Sequence, residues 1–277
     1  MNINFKNVYF SYGKKSNNVL KNINLTFDKN EIICIMGHTG SGKSTLVQHI
    51  NGLLLPTSGE VRVSIDKSEF ILNNKYKEKN LKELRRNIGL VFQFPENQLF
   101  ETTVIKDVMF APMNFYNDEK KAKELASASL EKVGINKSFY ERSPLELSGG
   151  EKRKVAIAGV LSSNPEVIIM DEPTSSLDFF SSREIMELLK KLKEEGKLII
   201  IISHDTDLCY EYGDRIIILN EGEIIEDRRV EDSFCDKVIL DKASLIEPFV
   251  NKVKRVLKIK DKSIRSIKAL KEVIKRG

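Results

Sequence analysis

Four polar positions in this chain can carry phosphate chemistry, and each stands at the end of an apolar run. The first is Gly37-His-Thr-Gly-Ser-Gly-Lys-Ser44, which follows Ile32-Ile-Cys-Ile-Met36 and opens a helix expected over residues 43–53. The pattern G-x-x-x-x-G-K-S between strand and helix is a phosphate cradle. Its glycines let consecutive N–H groups turn inward on phosphate oxygens, and the helix start adds the positive end of its dipole. Gly37, His38, Thr39, Gly40, Ser41, Gly42, Lys43, Ser44 and Thr45 are therefore the expected nucleotide contacts. Lys43 can reach the β- and γ-phosphates, and the Ser44 hydroxyl can ligate Mg²⁺. Average residue usage produces the pattern by chance in roughly 1% of chains of this length, and its flanks lower that figure. The chain is read as binding a nucleoside triphosphate.

The other three positions are Gln93 after residues 88–92, Asp171-Glu172 after Val167-Ile-Ile-Met170, and His204 after the apolar run that ends at residue 202. In open parallel sheets, ligands sit beyond the carboxyl ends of the strands. Phosphoryl transfer needs neutralised charge, a held metal and an oriented water. Asp171 suits the Mg²⁺ shell, through water, with Ser44 and Gln93 beside it, and Gln93 is also counted with Glu172 and His204 among the expected catalytic groups. Glu172 suits a general base that polarises the attacking water. His204 can hydrogen-bond the γ-phosphate or that water, or it can be a buried structural histidine. The rings of His38 and His49 have no partner pattern and read as structural. Tyr12 can stack on a base or pack ordinarily.

These positions need elements to hold them. Residues 3, 5, 8 and 10 alternate imperfectly as a strand, and residues 20, 23, 25 and 27 suggest a second, giving a small antiparallel sheet. Residues 66–80 are polar and read as a hairpin or loop. Residues 95–165 read as a mostly helical block, with Asn117-Asp118 capping one helix and another following Ser148-Gly149-Gly150. A helix is expected over residues 183–195 and a hairpin around Asn220-Glu-Gly222. Fully apolar strands alternating with helices mean a parallel sheet covered on both faces. The expected fold class is thus α/β. From residue 238 the chain reads as helical, with Ile264, Ile267, Leu270 and Ile274 on one face.

Composition narrows the class. Of 277 residues, 41% are apolar and 31% charged, enough for a large core under a charged surface. No apolar run approaches the ~18 residues of a membrane span, and the start lacks the pattern of a leader. Cys34, Cys209 and Cys235 are far apart and suit a reducing cytoplasm. Residues 251–277 hold 11 Lys/Arg against 2 Asp/Glu, a net of +9. The whole chain stands at +5, which leaves −4 for the first 250 residues. Such a tail can face anionic lipid or an acidic partner, or be a solvated helix surface.

Leu147-Ser-Gly-Gly-Glu151 lies 21 residues before Asp171, counted from Gly150. With the phosphate loop, Gln93, Asp171-Glu172 and His204 in this order, residues 1–225 resemble the ATP-binding cassette (ABC) ATPases. Ser176-Leu177-Asp178 is similar to the family's D-loop. The resemblance implies a P-loop NTPase (RecA-like) core with a small antiparallel β subdomain, a helical signature subdomain over about 95–165 and a C-terminal helical extension over 226–277. It implies ATP and Mg²⁺ as cofactors and an adenine contact at Tyr12. It also implies a head-to-tail dimer in which Ser148, Gly149 and Gly150 serve the other subunit's ATP, with Asp178 counted among the nucleotide contacts.

A narrower resemblance is carried by the phosphate loop with Thr39, by Val91-Phe-Gln-Phe-Pro-Glu-Asn-Gln-Leu-Phe100 with Phe94, and by Val155-Ala-Ile-Ala-Gly-Val160. These look like the energy-coupling factor (ECF) transporter ATPases, most like the second of the paired type. The implied partners are a second ABC ATPase (paralogue or self), a transmembrane coupling subunit and a substrate-capture membrane subunit. The implied place is the cytoplasmic side of the cell membrane, held peripherally, and the implied work is uptake of vitamins or metal ions. The extension after residue 226 would serve subunit contact. The coupling subunit would dock near Gln93 and residues 95–103, where Leu99 and Phe100 beside Glu96 and Glu101 can receive a helix carrying Arg, or can belong to the core. Asp178-Phe179 departs from the family's common Asp-Pro. Another class of ABC importer, or a soluble ABC ATPase acting on nucleic acid, are the alternatives. Only 105 residues separate Lys43 from Ser148, without sustained heptads, which speaks against the coiled-coil insertion of DNA-repair relatives and against nucleic acid as a partner.

Overall fold

The computed structural model describes all residues except 14–15, 66–67, 77–80 and 277. Strand β1 (Asn2–Phe10) pairs antiparallel with β2 (Leu20–Asp28). Its imperfect alternation has a physical cause. The register shifts between Phe5 and Val8, where Asn7 takes a φ of 47°. One extra residue at a bulge restores the phase, so Ile3, Phe5, Val8 and Phe10 are all buried.

The phosphate-loop strand is β3 (Ile32–Met36), followed by α1 (Lys43–Gln48). This helix stops short of the expected residue 53. Next come β4 (Ser58–Ile65) and β5 (Ser68–Leu72), the latter inside the stretch read as hairpin or loop. Phe70 and Leu72 of β5 point inward against β4, a period-2 pattern hidden by polar flanks. The remainder of residues 66–80 lies partly outside the described residues. The four strands form one antiparallel sheet in the order β2-β1-β4-β5.

The chain continues through α2 (Leu81–Asn87), β6 (Ile88–Val91), α3 (Val104–Tyr116), α4 (Glu119–Lys132), α5 (Gly149–Leu161), β7 (Val167–Asp171), α6 (Phe179–Glu194), β8 (Leu198–Ile202), α7 (Thr206–Tyr212), β9 (Arg215–Asn220) and β10 (Glu223–Arg229). It ends in α8 (Lys237–Ala243), α9 (Phe249–Val256) and α10 (Ile267–Arg276). The second sheet runs β10-β9-β3-β8-β7-β6, parallel except for β10. The α/β class expected from the apolar strands is the one observed.

Burial on both faces explains those strands. Ile32, Cys34 and Met36 enter the core shared with α5, α6 and α7, while Ile33 and Ile35 enter the core shared with the antiparallel sheet. All five residues of β8, Leu198-Ile-Ile-Ile-Ile202, are buried. Each such side chain contributes roughly 1.5–3 kcal/mol of transfer free energy. This rigid centre holds the strand ends in register.

Helix α6 begins earlier than residue 183. The Asp178 carboxylate accepts from the backbone N–H groups of Phe180 (2.9 Å) and Ser181 (3.0 Å), so it caps the helix. In the tail, Ile264 and Leu270 are buried, but Ile264 precedes α10, and Ile267 and Ile274 are exposed. The four residues therefore do not form one buried helical face.

His49, just past α1, is a buried structural histidine. Its Nδ1 donates to the Thr45 carbonyl at 2.7 Å, and its ring meets Phe10 edge-on at 4.8 Å. Burial pushes its pKa down to about 4, opposed in part by the Thr45 carbonyl. The folded state thus holds a neutral ring that the unfolded chain would protonate near pH 6.5. This contribution to stability is complete above that pH and is lost as pH falls toward 4, by roughly 3 kcal/mol. Urea unfolding from pH 7 to 4 should show a shallower loss in His49→Leu than in the wild type. Parallel curves would contradict the assignment.

Candidate nucleotide site

The strand ends converge as the sheet requires. Beyond β3, β6, β7 and β8 lies a cleft of about 470 Å³, lined by Tyr12, Thr39, Gly40, Gly42, Lys43, Ser44, Thr45, Gln93, Asp171, Glu172 and His204. One cleft thus gathers a phosphate loop, an amide, two carboxylates and an imidazole.

The loop's conformation depends on its glycines. Gly37 has a φ of 141°, and a Cβ there would lie 2.2 Å from the Leu219 carbonyl oxygen of β9. Gly42 has a φ of 103° at the start of α1. Only glycine takes both the backbone region and the close approach. Lys43 folds back over the loop, donating to the carbonyls of Gly37 (2.8 Å) and His38 (2.9 Å). Burial lowers its pKa, while Glu172 and Asp171 pull the other way. Gly37, His38 and Ser41 are not among the cleft-lining residues. The His38 ring lies 2.7 Å from the Thr39 carbonyl and 3.1 Å from Asn220 Oδ1, which ties the loop to the end of β9.

Burial raises the pKa of Asp171, against a hydrogen bond from Ser44 and the charge of Lys43. A partly buried carboxylate near a hydroxyl is a place where a hard cation is favoured. Ser44, Asp171 and Gln93 offer only oxygen for coordination, the donor set that suits Mg²⁺. No group of three or more His, Cys, Asp or Glu among the described residues could hold a metal by itself.

Glu172 has a φ of 52°, unusual for a residue with a side chain. Its N–H donates to Ile202 O at 2.9 Å, and its own carbonyl accepts from the Ser175 N–H and hydroxyl. So held, its carboxylate lies 2.9 Å from His204 Nδ1. The His204 side chain is 74% exposed and Glu172 only 13%. His204 is therefore not a buried structural residue. Tyr12 is 66% exposed; its hydroxyl lies 3.0 Å from Thr45 Oγ1 and its ring meets Phe10 edge-on.

Ser148, Gly149, Gly150 and Asp178 do not line this cleft. Ser148 begins α5 in a capping box: Glu151 accepts from the Ser148 N–H (2.8 Å) and hydroxyl (2.7 Å), and the Glu151 N–H donates to Ser148 Oγ. A Cβ built on Gly149 or Gly150 would meet nothing within 4 Å. Among the described residues, no neighbour crowds either position.

Three residues near the site were not singled out for it from sequence. Glu151 had a signal, the S-x-x-E spacing before a helix. Asn220 had none beyond its turn. Arg153 sits in the run Lys152-Arg-Lys154 and resembles a solvated charge, yet it is buried.

Comparison with known proteins gives these observations a family. Residues 20–175 match the family model described as ABC transporter. An energy-coupling factor transporter ATP-binding protein of Lactobacillus johnsonii, EcfA2, is 43% identical over 260 residues, covering 93% of this chain and 89% of that protein. One of Oenococcus oeni, EcfA3, is 42% identical over 289 residues, covering 99% of each. Among solved structures, cbiO1 of Clostridium perfringens, part of the ABC transporter complex cbiONQ, superposes with a TM-score of 0.75 at 34% identity, covering 93% of this chain and 98% of that one. A dimeric ATP-binding cassette in a post-hydrolysis state bound to ADP and Pi gives 0.71 at 34% identity, covering 82% and 98%. The chain belongs to the ABC transporter family as one of its transport ATPases, and it resembles the ATP-binding proteins of energy-coupling factor transporters over almost its whole length.

Proposed function

We propose that this chain is the ATP-hydrolysing subunit of an energy-coupling factor transporter, driving uptake of a vitamin or metal ion through a membrane partner. The observation that carries the reading is the half-built site. One cleft holds a phosphate loop, base and histidine, while Ser148, Gly149 and Gly150 at the start of α5 lie outside it, and a Cβ on either glycine would meet no described atom within 4 Å. A second cassette, arranged head to tail, supplies the missing half. Its Ser148, Gly149 and Gly150 meet the γ-phosphate held by this chain's loop, with Asp178 alongside.

In that site Lys43 leaves its loop carbonyls for the β- and γ-phosphates, while Thr39, Gly40, Gly42 and Thr45 cradle them. Tyr12 covers the adenine. Mg²⁺, held by Ser44, Asp171 and Gln93 with the phosphates, would neutralise charge on the transferring group. Glu172 takes the proton of the attacking water, and His204 fixes the rotamer of Glu172 and reaches toward the γ-phosphate. Closed and open dimers differ in their affinity for ATP, so binding closes the pair and hydrolysis reopens it.

The membrane partner docks on a groove of about 340 Å³ lined in part by Leu53, Phe92, Leu99, Phe100, Phe110 and Phe115. Phe100 and Phe110 are exposed and meet edge-on at 4.9 Å, whereas Leu99 packs against the core. Glu96 is already engaged within the chain, where Arg153 donates to both its oxygens. No described helix is long and apolar enough to cross a membrane, which agrees with peripheral attachment. The extension over 226–277 is anchored to α7: Lys254 Nζ reaches the Tyr210 hydroxyl at 3.3 Å, and the Phe249 N–H donates to Asp207 at 2.6 Å. Its exposed Val256 and Leu257 suit contact with the second cassette.

Purification from membranes in mild detergent tests the assignment. A second cassette and two membrane proteins should co-purify, and ATP turnover in the complex should exceed that of the isolated chain by about tenfold, ~1.4 kcal/mol of barrier. Full turnover by the isolated chain, with no membrane protein attached, would overturn it.

A further inference from the structure

Arg153 heads the largest side chains that the fold buries completely, at 2% exposure. Taking a guanidinium out of water costs several kcal/mol unless its donors are met. Here Nε and Nη2 donate to the two carboxylate oxygens of Glu96, at 3.1 and 2.9 Å. Nη1 donates to the carbonyls of Pro173 and Ser175. One planar group therefore ties together three segments. They are the turn Pro95–Gln98 that follows Gln93, the helix α5 that begins at the open glycines, and the loop 172–178.

That loop starts at Glu172 and ends at Asp178. It contains two non-glycine residues in the left-handed region, Glu172 at φ 52° and Ser176 at φ 61°. Such residues persist only where the surroundings over-determine them. Ser175 bonds back to Glu172 within the loop. Arg153 is the side chain from another element that grips the loop's carbonyls. Its other end grips Glu96, whose side chain is 21% exposed. The fork geometry of this pair is specific to Arg, and Lys cannot reproduce it.

We infer that Arg153 is a positioning residue for hydrolysis: braced by Glu96, it holds loop 172–178 so that Glu172 points into the nucleotide cleft and Asp178 toward the second cassette. The inference rests on the proposed role of Glu172. It gives the surface turn a mechanical link to the base. A displacement of Glu96 moves the guanidinium, and the guanidinium carries the loop. It also separates binding from turnover, because Arg153 and Glu96 do not line the nucleotide cleft.

The test uses the detergent-purified complex with Glu96→Gln, Glu96→Asp, Arg153→Lys and the double variant Glu96→Gln/Arg153→Lys. Glu96→Gln and Arg153→Lys should each lower kcat by about tenfold, with KM for ATP and the affinity for a fluorescent ATP analogue within about twofold. The double variant should be no slower than the slower single variant, since both break one link. Glu96→Asp restores the carboxylate and should recover most of the turnover. If Arg153→Lys folds poorly by thermal melt, the Glu96→Gln and Glu96→Asp pair still decides. Unchanged kcat in Glu96→Gln, additive losses in the double variant, or a rise in KM that accounts for the loss would each overturn the inference. A wild-type complex that hydrolyses no ATP would instead defeat the proposed function itself.

Discussion

Glu172→Gln should bind ATP as the wild type does and hydrolyse it about a hundredfold more slowly or worse, the range expected for loss of a general base. The substitution keeps the size of the side chain and its hydrogen bond to His204, so loop 172–178 has no reason to move. What is lost is the group that accepts the proton of water. The strained backbone at Glu172 gives the prediction its force. A residue held at φ 52° by Ile202 and Ser175 is aimed at the cleft by the fold itself, and not by the mobility of its own side chain. Steady-state phosphate release checks the outcome. Turnover at the wild-type rate would remove Glu172 from the mechanism.

Lys43→Ala should weaken ATP binding by at least about a hundredfold, ~3 kcal/mol. Among the described residues lining the cleft, Lys43 is the only Lys or Arg. No neighbouring cation there can take over, and the carboxylates of Asp171 and Glu172 would then face the triphosphate with one fewer compensating charge. Equilibrium binding of a fluorescent ATP analogue measures the loss. A thermal melt of the same variant separates lost phosphate recognition from lost folding, since Lys43 also donates to the Gly37 and His38 carbonyls. Unchanged affinity would mean that phosphate recognition rests elsewhere.

The strands that present the site were legible because their burial on both faces leaves no polar interruption. Ile32–Met36, Val167–Asp171 and Leu198–Ile202 each read as apolar until a functional residue ends them. Strand β5 was legible only as one arm of a hairpin-or-loop reading. Only Phe70 and Leu72 face inward, and Ser68 and Glu69 on their flank imitate a loop. The start of α6 was missed because Asp178-Phe179 replaces a familiar Asp-Pro, although a carboxylate capping two N–H groups is an ordinary way to begin a helix. Within the cleft, Gln93, Asp171, Glu172 and His204 could be placed from strand ends alone. Arg153 could not, because nothing in Lys152-Arg-Lys154 distinguishes a buried fork from two half-buried neighbours. Its role depends on where Glu96 and the Pro173 and Ser175 carbonyls arrive in space. The signature glycines are legible as a motif, yet their surroundings within a single chain are open space.

That open space is the centre of the account, and the mass of the Glu172→Gln protein tests it most directly. Light scattering of this 31.6 kDa chain, together with the second cassette it co-purifies with, should show a dimer in ATP and Mg²⁺ and separate cassettes in ADP. Ser148→Phe, which crowds the open start of α5, should abolish the ATP-dependent dimer while leaving ATP bound. A protein that binds ATP fully yet stays monomeric beside its co-purified cassette would contradict a site built in two halves.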